Sequence, residues 1–320
     1  MITIIGGSGF IGSSLARILT NFNIDFEILD VKKSELFPDK TKIVNVRNLE
    51  DLKNSITGEV VVNLAAIHSD DISNKKEYLR TNVEGAENIC KVCEIKKINK
   101  IIFTSSVAVY GFSDHPSDEK SSLNPFNYYG ISKAQAEKVF YKWHKLDHTD
   151  RSLIIVRPTV VFGEGNRGNV YNLLKQISSG LFISIGNGEN KKSMAYVENV
   201  AAFLYQCIKS KDNFGLYNYV DEPNLSMKEL ITLSRDLMGK NSKNNLALPY
   251  PIGIFIGYIF DILSKISGIK FSISSIRIKK FCASSIYYSS KKNLDNFESP
   301  FSLREGLELT IKKEFLDEVN

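Results

Sequence analysis

A chain of 320 residues with 43% hydrophobic and 24% charged content has an ordinary globular balance and enough length for two domains, which excludes disorder, collagen and coiled coil. Four cysteines, Cys90, Cys93, Cys207 and Cys282, are too few and too scattered for a disulfide framework and suit a reducing cytosol. The net charge of +5 is uneven: Lys240, Lys243, Lys265, Lys270, Arg277, Lys279, Lys280, Lys291 and Lys292 face the single acid Asp261, so this window carries +8 and the rest of the chain −3.

Such asymmetry calls for an anionic partner, either phosphate groups or an anionic membrane surface. Nucleic acid is not expected, because no binding module or basic–aromatic alternation accompanies the charge. The longest uninterrupted apolar run, Pro251 to Phe260, falls short of the ~20 residues that span a bilayer, so no transmembrane helix is expected. The first strand begins at Ile2 and leaves no room for a signal peptide, which points to the cytoplasm.

Apolar β-branched runs alternate with stretches of helical period. Strands are expected at Ile2–Ile5, Phe26–Leu29, Ile43–Val46, Val60–Leu64, Ile101–Thr104 and Leu153–Val156, and helices near Ile11–Asn21, Leu49–Ser55, Lys75–Glu94 and Tyr129–Leu146. Several strands are apolar on both faces, as buried parallel strands must be. The repeated βαβ order predicts an α/β fold with a doubly wound, Rossmann-type parallel sheet. After Gly163 the pattern breaks into Gly- and Asn-rich loops with helices near Val170–Ser178, Val197–Lys209, Met227–Leu237 and Leu303–Phe315. Residues 1–165 are read as a dinucleotide-binding domain and 166–320 as a smaller substrate domain, with 194–209 packing back on the first.

Strand Ile2–Ile5 runs into Gly6-Gly7-Ser8-Gly9-Phe10-Ile11-Gly12 and then an amphipathic helix. Gly7, Gly9 and Gly12 satisfy G-x-G-x-x-G in the strand–turn–helix context that makes this a dinucleotide fingerprint. Gly6, Gly7, Gly9, Phe10, Ile11 and Gly12 would then hold a pyrophosphate at the helix N-terminus, where free N–H groups and a positive dipole point outward. Asp30 ends the second strand, where a carboxylate accepts both adenine-ribose hydroxyls and repels a 2′-phosphate. NAD is expected over NADP.

Beyond the strand Ile101–Thr104 come Ser105-Ser106-Val107-Ala108-Val109-Tyr110-Gly111 and, at a helix start, Tyr128-Tyr129-Gly130-Ile131-Ser132-Lys133. Tyr129 and Lys133 are one helical turn apart and share a face. A nearby ammonium stabilises tyrosinate and lowers its pKa from ~10 toward neutrality, so that it works as a general base. A change to ~7 requires roughly 4 kcal/mol, which Lys133 and the positive nicotinamide could supply. Ser106 would hydrogen-bond the same substrate oxygen.

The fingerprint, the Ser-rich strand end and Y-x-x-x-K together resemble the extended short-chain dehydrogenase/reductase family of sugar epimerases and dehydratases, over nearly the whole chain. The resemblance implies catalytic roles for Ser106, Tyr129 and Lys133 and cofactor contacts from Tyr129, Lys133, Asn45, Val46, Ala65 and Ala66, with Asn82 bracing the active-site strand end. Asn45 stands where many relatives place Asp beside the adenine, and Val160 where many place a substrate-contacting Asn. Dehydratases of the family carry Asp-Glu after the catalytic hydroxyl residue; here Val107 and Ala108 stand instead, so dehydration is not expected, and oxidation, reduction or epimerisation at C4 remain.

Segments such as Gly163–Asn172, Lys192–Val197, Leu248–Pro251 and Lys279–Cys282 resemble a narrower group, the undecaprenyl-diphosphate N-acetylglucosamine 4-epimerases of O-antigen assembly. A UDP-sugar 4-epimerase or a 4-ketoreductase would show the same catalytic residues, and a non-enzymatic dinucleotide sensor would not need them. Likeness to UDP-galactose 4-epimerases places Asn169, Lys192 and Arg277 at the substrate phosphates, with Lys192 in place of the usual Arg; Lys neutralises charge but loses bidentate geometry.

The family also implies a homodimer through paired helices, for which Phe140, Tyr141 and Trp143 are core or interface residues. Cys90 and Cys93 are read as packing residues, and no metal site is expected from His68, His115, His144 or His148. Residues 246–280, apolar and then basic, could lie in a membrane interface as a peripheral contact at the inner face of the membrane, or pack inside the substrate domain.

Overall fold

The computed structural model describes residues 1–68, 74–113, 115–180, 182–240, 247–269, 271 and 274–317. Lys243, Leu246 and Lys270, which entered the sequence reading, lie outside them. The chain forms two compact units interleaved in sequence: Met1–Val161, Ala195–Asp221 and Tyr287–Ser302 make the first, and Phe162–Met194, Glu222–Ile286 and Leu303–Asn320 the second. The sequence reading divides the chain at 165/166 with 194–209 packing back on the first domain; the two units divide at 161/162, 194/195, 221/222, 286/287 and 302/303.

In chain order the elements are β1 (Ile2–Ile5), α1 (Phe10–Asn21), β2 (Phe26–Asp30), β3 (Thr41–Ile43), α2 (Leu49–Ser55), β4 (Val60–Asn63), α3 (Lys76–Tyr78), α4 (Gly85–Lys96), β5 (Lys100–Thr104), α5 (Tyr128–Lys145), β6 (Ser152–Pro158), β7 (Val160–Phe162) and α6 (Asn169–Ser178). There follow β8 (Ser184–Ile185), β9 (Lys191–Tyr196), α7 (Val197–Lys209), β10 (Phe214–Tyr219), β11 (Asp221–Ser226), α8 (Met227–Leu237), β12 (Ala247–Leu248), α9 (Tyr250–Ser267), α10 (Ser275–Cys282) and α11 (Leu303–Ile311).

The first unit is a Rossmann-type doubly wound sheet of seven parallel strands, ordered β10-β6-β5-β4-β1-β2-β3. Because side chains alternate along a strand, its apolar runs feed two cores. Ile4, Ile28, Val62, Ile102 and Ile154 pack with Leu15 and Leu19 of α1 and with Val200, Phe203 and Leu204 of α7. Ile5, Leu29, Val61, Ile101, Phe103 and Ile155 pack with Leu52 of α2, Ile89 and Val92 of α4, and Phe140 and Trp143 of α5. Tyr141 stays largely exposed.

Within the seven-stranded sheet and its helices, three elements differ from the sequence reading. The third strand is Thr41–Ile43, in register with Ile28–Asp30, and not Ile43–Val46; the chain turns after it toward α2, which Asn48 caps with hydrogen bonds from the Glu50 and Asp51 amides. The helix expected at Lys75–Glu94 is broken into α3, a π-helical stretch Leu79–Glu84 and α4. Strand β10, unanticipated, is an edge strand along β6, and its sequence FGLYNY lacks the aliphatic run of a central strand.

In the second unit α6, α8 and α11 bury Val170, Leu174 and Ile177, Leu230 and Ile231, and Leu303, Leu307 and Ile311. Helix α9 is different. It runs unbroken for 18 residues and by length and composition alone is long and apolar enough to cross a membrane. Only Gly253 and Gly257 of it are buried. A Cβ at Gly257 would lie 2.8 Å from the Ser275 Cα, and one at Gly253 2.5 Å from the Ile185 side chain, so the glycines let α9 lie close on α10 and β8. Its one acid, Asp261, accepts hydrogen bonds from the Ser275 amide at 3.3 and 3.4 Å. The remaining face, with Ile252, Phe255, Ile259, Ile262 and Ile266, is exposed.

Candidate active site

The glycine loop forms where β1 hands over to α1. Gly6 has φ +78°, and a Cβ there would lie 2.5 Å from the Ala65 amide nitrogen, so the loop rests on the backbone that follows β4. Ala65 itself donates its amide to the Asn63 side chain. Helix α1 starts after Gly9 with no side-chain cap, leaving its N-terminal dipole for a ligand. Asp30 accepts the Ser8 amide at 3.0 Å and the Lys32 amide at 3.3 Å, while the Ser8 hydroxyl donates to the Lys32 carbonyl. The carboxylate at the end of β2 is thereby fixed against the loop. Asn45 is exposed and accepts the Arg47 amide; Val46 is buried against Gly85.

Two elements bring the catalytic candidates together. Ser106 caps a short 3-10 turn, Val107–Val109, accepting the Ala108 amide at 3.2 Å. Helix α5 begins at Tyr128, with Asn127 accepting the Gly130 amide at 2.8 Å. A Cβ at Gly130 would lie 2.4 Å from the Ala108 carbonyl oxygen, so only glycine lets the first turn of α5, with Tyr129, meet the turn capped by Ser106. One turn on, Lys133 is 2% exposed; its ammonium donates to the Thr104 carbonyl at 2.7 Å and lies 4.8 Å from the Phe103 ring centre. Burial pushes the Lys133 pKa down to about 7, opposed by the Glu137 charge. Asn82 donates to Ser132 at 2.8 Å and pairs with both backbone groups of Ile67. It therefore braces the loop after β4 against α5, a different place from the strand end to which the sequence reading assigned it.

The three phosphate candidates lie in the second unit. Asn169 is the first residue of α6 and is exposed. The Lys192 ammonium donates to the carbonyls of Lys280 at 2.9 Å and Ala283 at 2.5 Å, capping the C-terminus of α10, and burial lowers its pKa to about 8. Arg277 sits exposed in the first turn of α10 and donates to the Phe271 carbonyl at 3.4 Å. Lys192 and Arg277 thus share α10. A surface pocket of about 590 Å³ nearby is lined by Ile185, Asn190, Tyr250, Lys279, Cys282 and Ala283 among others.

Residues 2–219 match the model of the NAD dependent epimerase/dehydratase family. The chain belongs to this epimerase family. It is 45% identical, over 98% of its length and 95% of the relative's, to the N-acetyl-alpha-D-glucosaminyl-diphospho-ditrans,octacis-undecaprenol 4-epimerase of Escherichia coli O157:H7. It is 25% identical to a UDP-glucose 4-epimerase of Vibrio cholerae, covering 83% of this chain and 85% of that one. Among solved structures, MoeE5 in complex with UDP-glucose and NAD superposes with a TM-score of 0.76 at 20% identity, covering 98% and 97% of the two chains. As in the family at large, the cofactor is NAD. The residues present fit it: an uncapped helix N-terminus, a loop that side chains would fill, and a fixed carboxylate at the end of β2.

Sequence reasoning missed the polar groups beneath this epimerase site. Glu137 of α5 and Arg157 of β6 are both buried and form a bidentate pair at 2.6 and 2.8 Å, and Ser105 donates to Glu137 at 2.5 Å. Arg157 also donates to the Tyr110 hydroxyl at 2.7 Å, which in turn donates to Asn218 at 2.7 Å. The signals existed: Glu137 lies one turn past Lys133, and Arg157 is a lone charge in an apolar central strand.

Cys90 and Cys93 are buried on α4, and burial raises both thiols well above the usual range, which leaves them unreactive. Among the described residues no three His, Cys, Asp or Glu side chains cluster as metal ligands would.

Proposed function

We propose that the protein interconverts N-acetylglucosamine and N-acetylgalactosamine at C4 on a diphosphate carrier, and that the carrier is undecaprenyl diphosphate. Tyr129 takes the proton of the C4 hydroxyl and later returns it; the Lys133 ammonium stabilises the tyrosinate, and Ser106 holds the same oxygen. Bound NAD would supply a reversible hydride acceptor at C4, regenerated in each turnover with no reductant consumed. Between the proton transfers the sugar is a 4-ketone, whose turning in the site exposes its other face. Asn169, Lys192 and Arg277 would meet the diphosphate, Lys192 by exchanging the carbonyls it now holds for phosphate oxygens.

The observation that carries this reading is the presence in one chain of the Ser106, Tyr129 and Lys133 arrangement and of an exposed apolar helix α9. Asp261 and Gly257 hold α9 to α10, and Gly253 holds it to β8, so the helix fits a role in the membrane interface, with Lys265 and Lys279 toward anionic headgroups, and not a role as a span that must leave its support. On this reading the protein works in the cytoplasm against the inner face of the membrane, making lipid-linked GalNAc for polysaccharide assembly such as O-antigen. A homodimer through α4 and α5, whose Ile95, Tyr141 and Leu146 are exposed, goes with the same reading and is checked by sedimentation.

The test is a paired-substrate assay without added reductant, comparing GlcNAc-diphospho-undecaprenol in anionic vesicles with UDP-GlcNAc in solution. Much faster turnover of the lipid-linked sugar is expected. Efficient UDP-GlcNAc turnover by protein that ignores vesicles would overturn the carrier assignment, and stoichiometric NADH consumption would replace the epimerase with a 4-ketoreductase.

A further inference from the structure

We propose that Glu137 is a positioning residue for the Tyr129–Lys133 pair: anchored by Arg157 and Ser105, it fixes the end of β5 and places a buried negative charge one helical turn from the Lys133 ammonium. This rests on Tyr129 and Lys133 being the proton-transfer pair.

The geometry has three parts. Both carboxylate oxygens of Glu137 are engaged, Oε1 by Ser105 Oγ and Arg157 Nε and Oε2 by the second Arg157 nitrogen, so the charge cannot swing away. Ser105 lies between Thr104, whose carbonyl receives the Lys133 ammonium, and Ser106, which caps the catalytic turn. The anchor of Glu137 is thus one residue from both. Arg157 is held in turn by Tyr110, whose ring it overlies at 5.0 Å, and Tyr110 by Asn218. A buried carboxylate–guanidinium pair is frequently no more stabilising than apolar residues of the same size, so stability alone does not account for one at this place.

The electrostatics follow from what faces Lys133. From α5 come Glu137 and Tyr129; from β6 comes Arg157, its charge matched by Glu137; and the nearby Tyr110 phenol is kept neutral by burial. The adjoining π-helical stretch presents the neutral Asn82, and β5 a carbonyl and the Phe103 ring. Burial lowers the Lys133 pKa, and the Glu137 carboxylate is the charge that opposes it. Without that carboxylate Lys133 loses its proton at lower pH and ceases to stabilise tyrosinate, so Tyr129 titrates higher.

The experiment measures kcat/KM against pH for the full-length protein, Glu137→Gln, and Glu137→Gln/Arg157→Met, the last leaving no unpaired guanidinium buried in case the single variant folds poorly. Both variants are expected to show a bell narrowed from both sides, with the high-pH limb displaced downward by about one pH unit and kcat/KM at pH 8 reduced about tenfold or more. Either variant folded with the wild-type profile overturns the inference, because a purely structural role lowers Tm without moving the limbs. Should the wild type epimerise neither sugar, the functional reading fails by itself. Glu137 is then read from the ultraviolet titration of tyrosinate, taken as the difference between each protein and its Tyr129→Phe counterpart. A Tyr129 pKa raised by about one unit in Glu137→Gln supports the assignment, and an unchanged one refutes it.

Discussion

Replacing Phe255, Ile262 and Ile266 together by Gln separates a membrane-facing helix from a core helix. The three side chains are 64, 57 and 79% exposed and, at 100° per residue, fall within about 40° of one another around α9. Their exposed surface amounts to about two whole side chains, and complete burial of an Ile or Phe contributes ~1.5–3 kcal/mol. If they dip into the bilayer interface, the triple variant forfeits roughly 3–6 kcal/mol of partition energy, a loss of binding of about 100-fold or more. Gln is a good helix former, and exposed positions tolerate substitution within about 0.5 kcal/mol each, so Tm should barely change. Cosedimentation with vesicles containing anionic phospholipid, at low and high salt, reads the first effect, and thermal melting by circular dichroism the second. Wild-type protein should bind more weakly at high salt, where the lysine contribution is screened. Undiminished binding by the variant refutes the reasoning, as does a large fall in Tm, which would show that the face is packed against protein.

Tyr129→Phe should lower epimerisation by several orders of magnitude, a far larger change than in NAD affinity measured by equilibrium titration. Lys133→Met should abolish activity yet stabilise the fold. The pKa of Lys133 is about 7 in the folded chain against 10.5 ordinarily, so between those values the unfolded chain holds a proton that the folded chain has released, and stability rises with pH from ~7 to ~10.5. The Met variant should melt several degrees higher at pH 6 to 7 and lose this slope. Asp30→Ala should narrow the preference for NAD⁺ over NADP⁺, and equal affinities in the wild type would count against the role of Asp30. Gly6→Ala should cost stability and NAD binding together, since its Cβ would collide with the Ala65 backbone and its φ is positive, and a wild-type melting curve would contradict this.

What could be read from the sequence, and what could not, follows from where each signal originates. Strands β1, β4 and β5 are apolar on both faces because helices cover both, and a local window suffices to see that. The glycine loop, Asp30 and the Tyr129–Lys133 spacing are likewise local patterns. Strand β10 escaped notice because an edge strand needs partners on one side only, and its pairing with β6 joins residues some sixty positions apart. The Glu137–Arg157 pair is non-local too: Arg157 stands out in its apolar strand, but only the approach of α5 to β6 shows that Glu137 is its buried partner. Asn82 was recognised as a brace, but what it braces depended on the turn the chain takes after β4.

Helix α9 is the harder case, because its pattern inverts the usual rule. In a globular helix the apolar stripe faces the core, so a run of Ile and Phe reads as buried, and the glycines within it read as interruptions. Here the glycines are the packed face and the large apolar residues the exposed one. Helix α10 explains why this arrangement is useful. It supports α9 through Ser275 on one side, carries Arg277 in its first turn and holds Lys192 by the carbonyls at its end. Packed helices lie 8–10 Å axis to axis, so the cations proposed for the diphosphate sit about one helix diameter from the surface proposed to enter the membrane. A lipid diphosphate has the same order, its phosphates at the headgroup level and its chain just below. An enzyme that works on such a substrate gains from keeping its phosphate cations and its apolar face on a single rigid support, and on the function proposed above α10 would be that support.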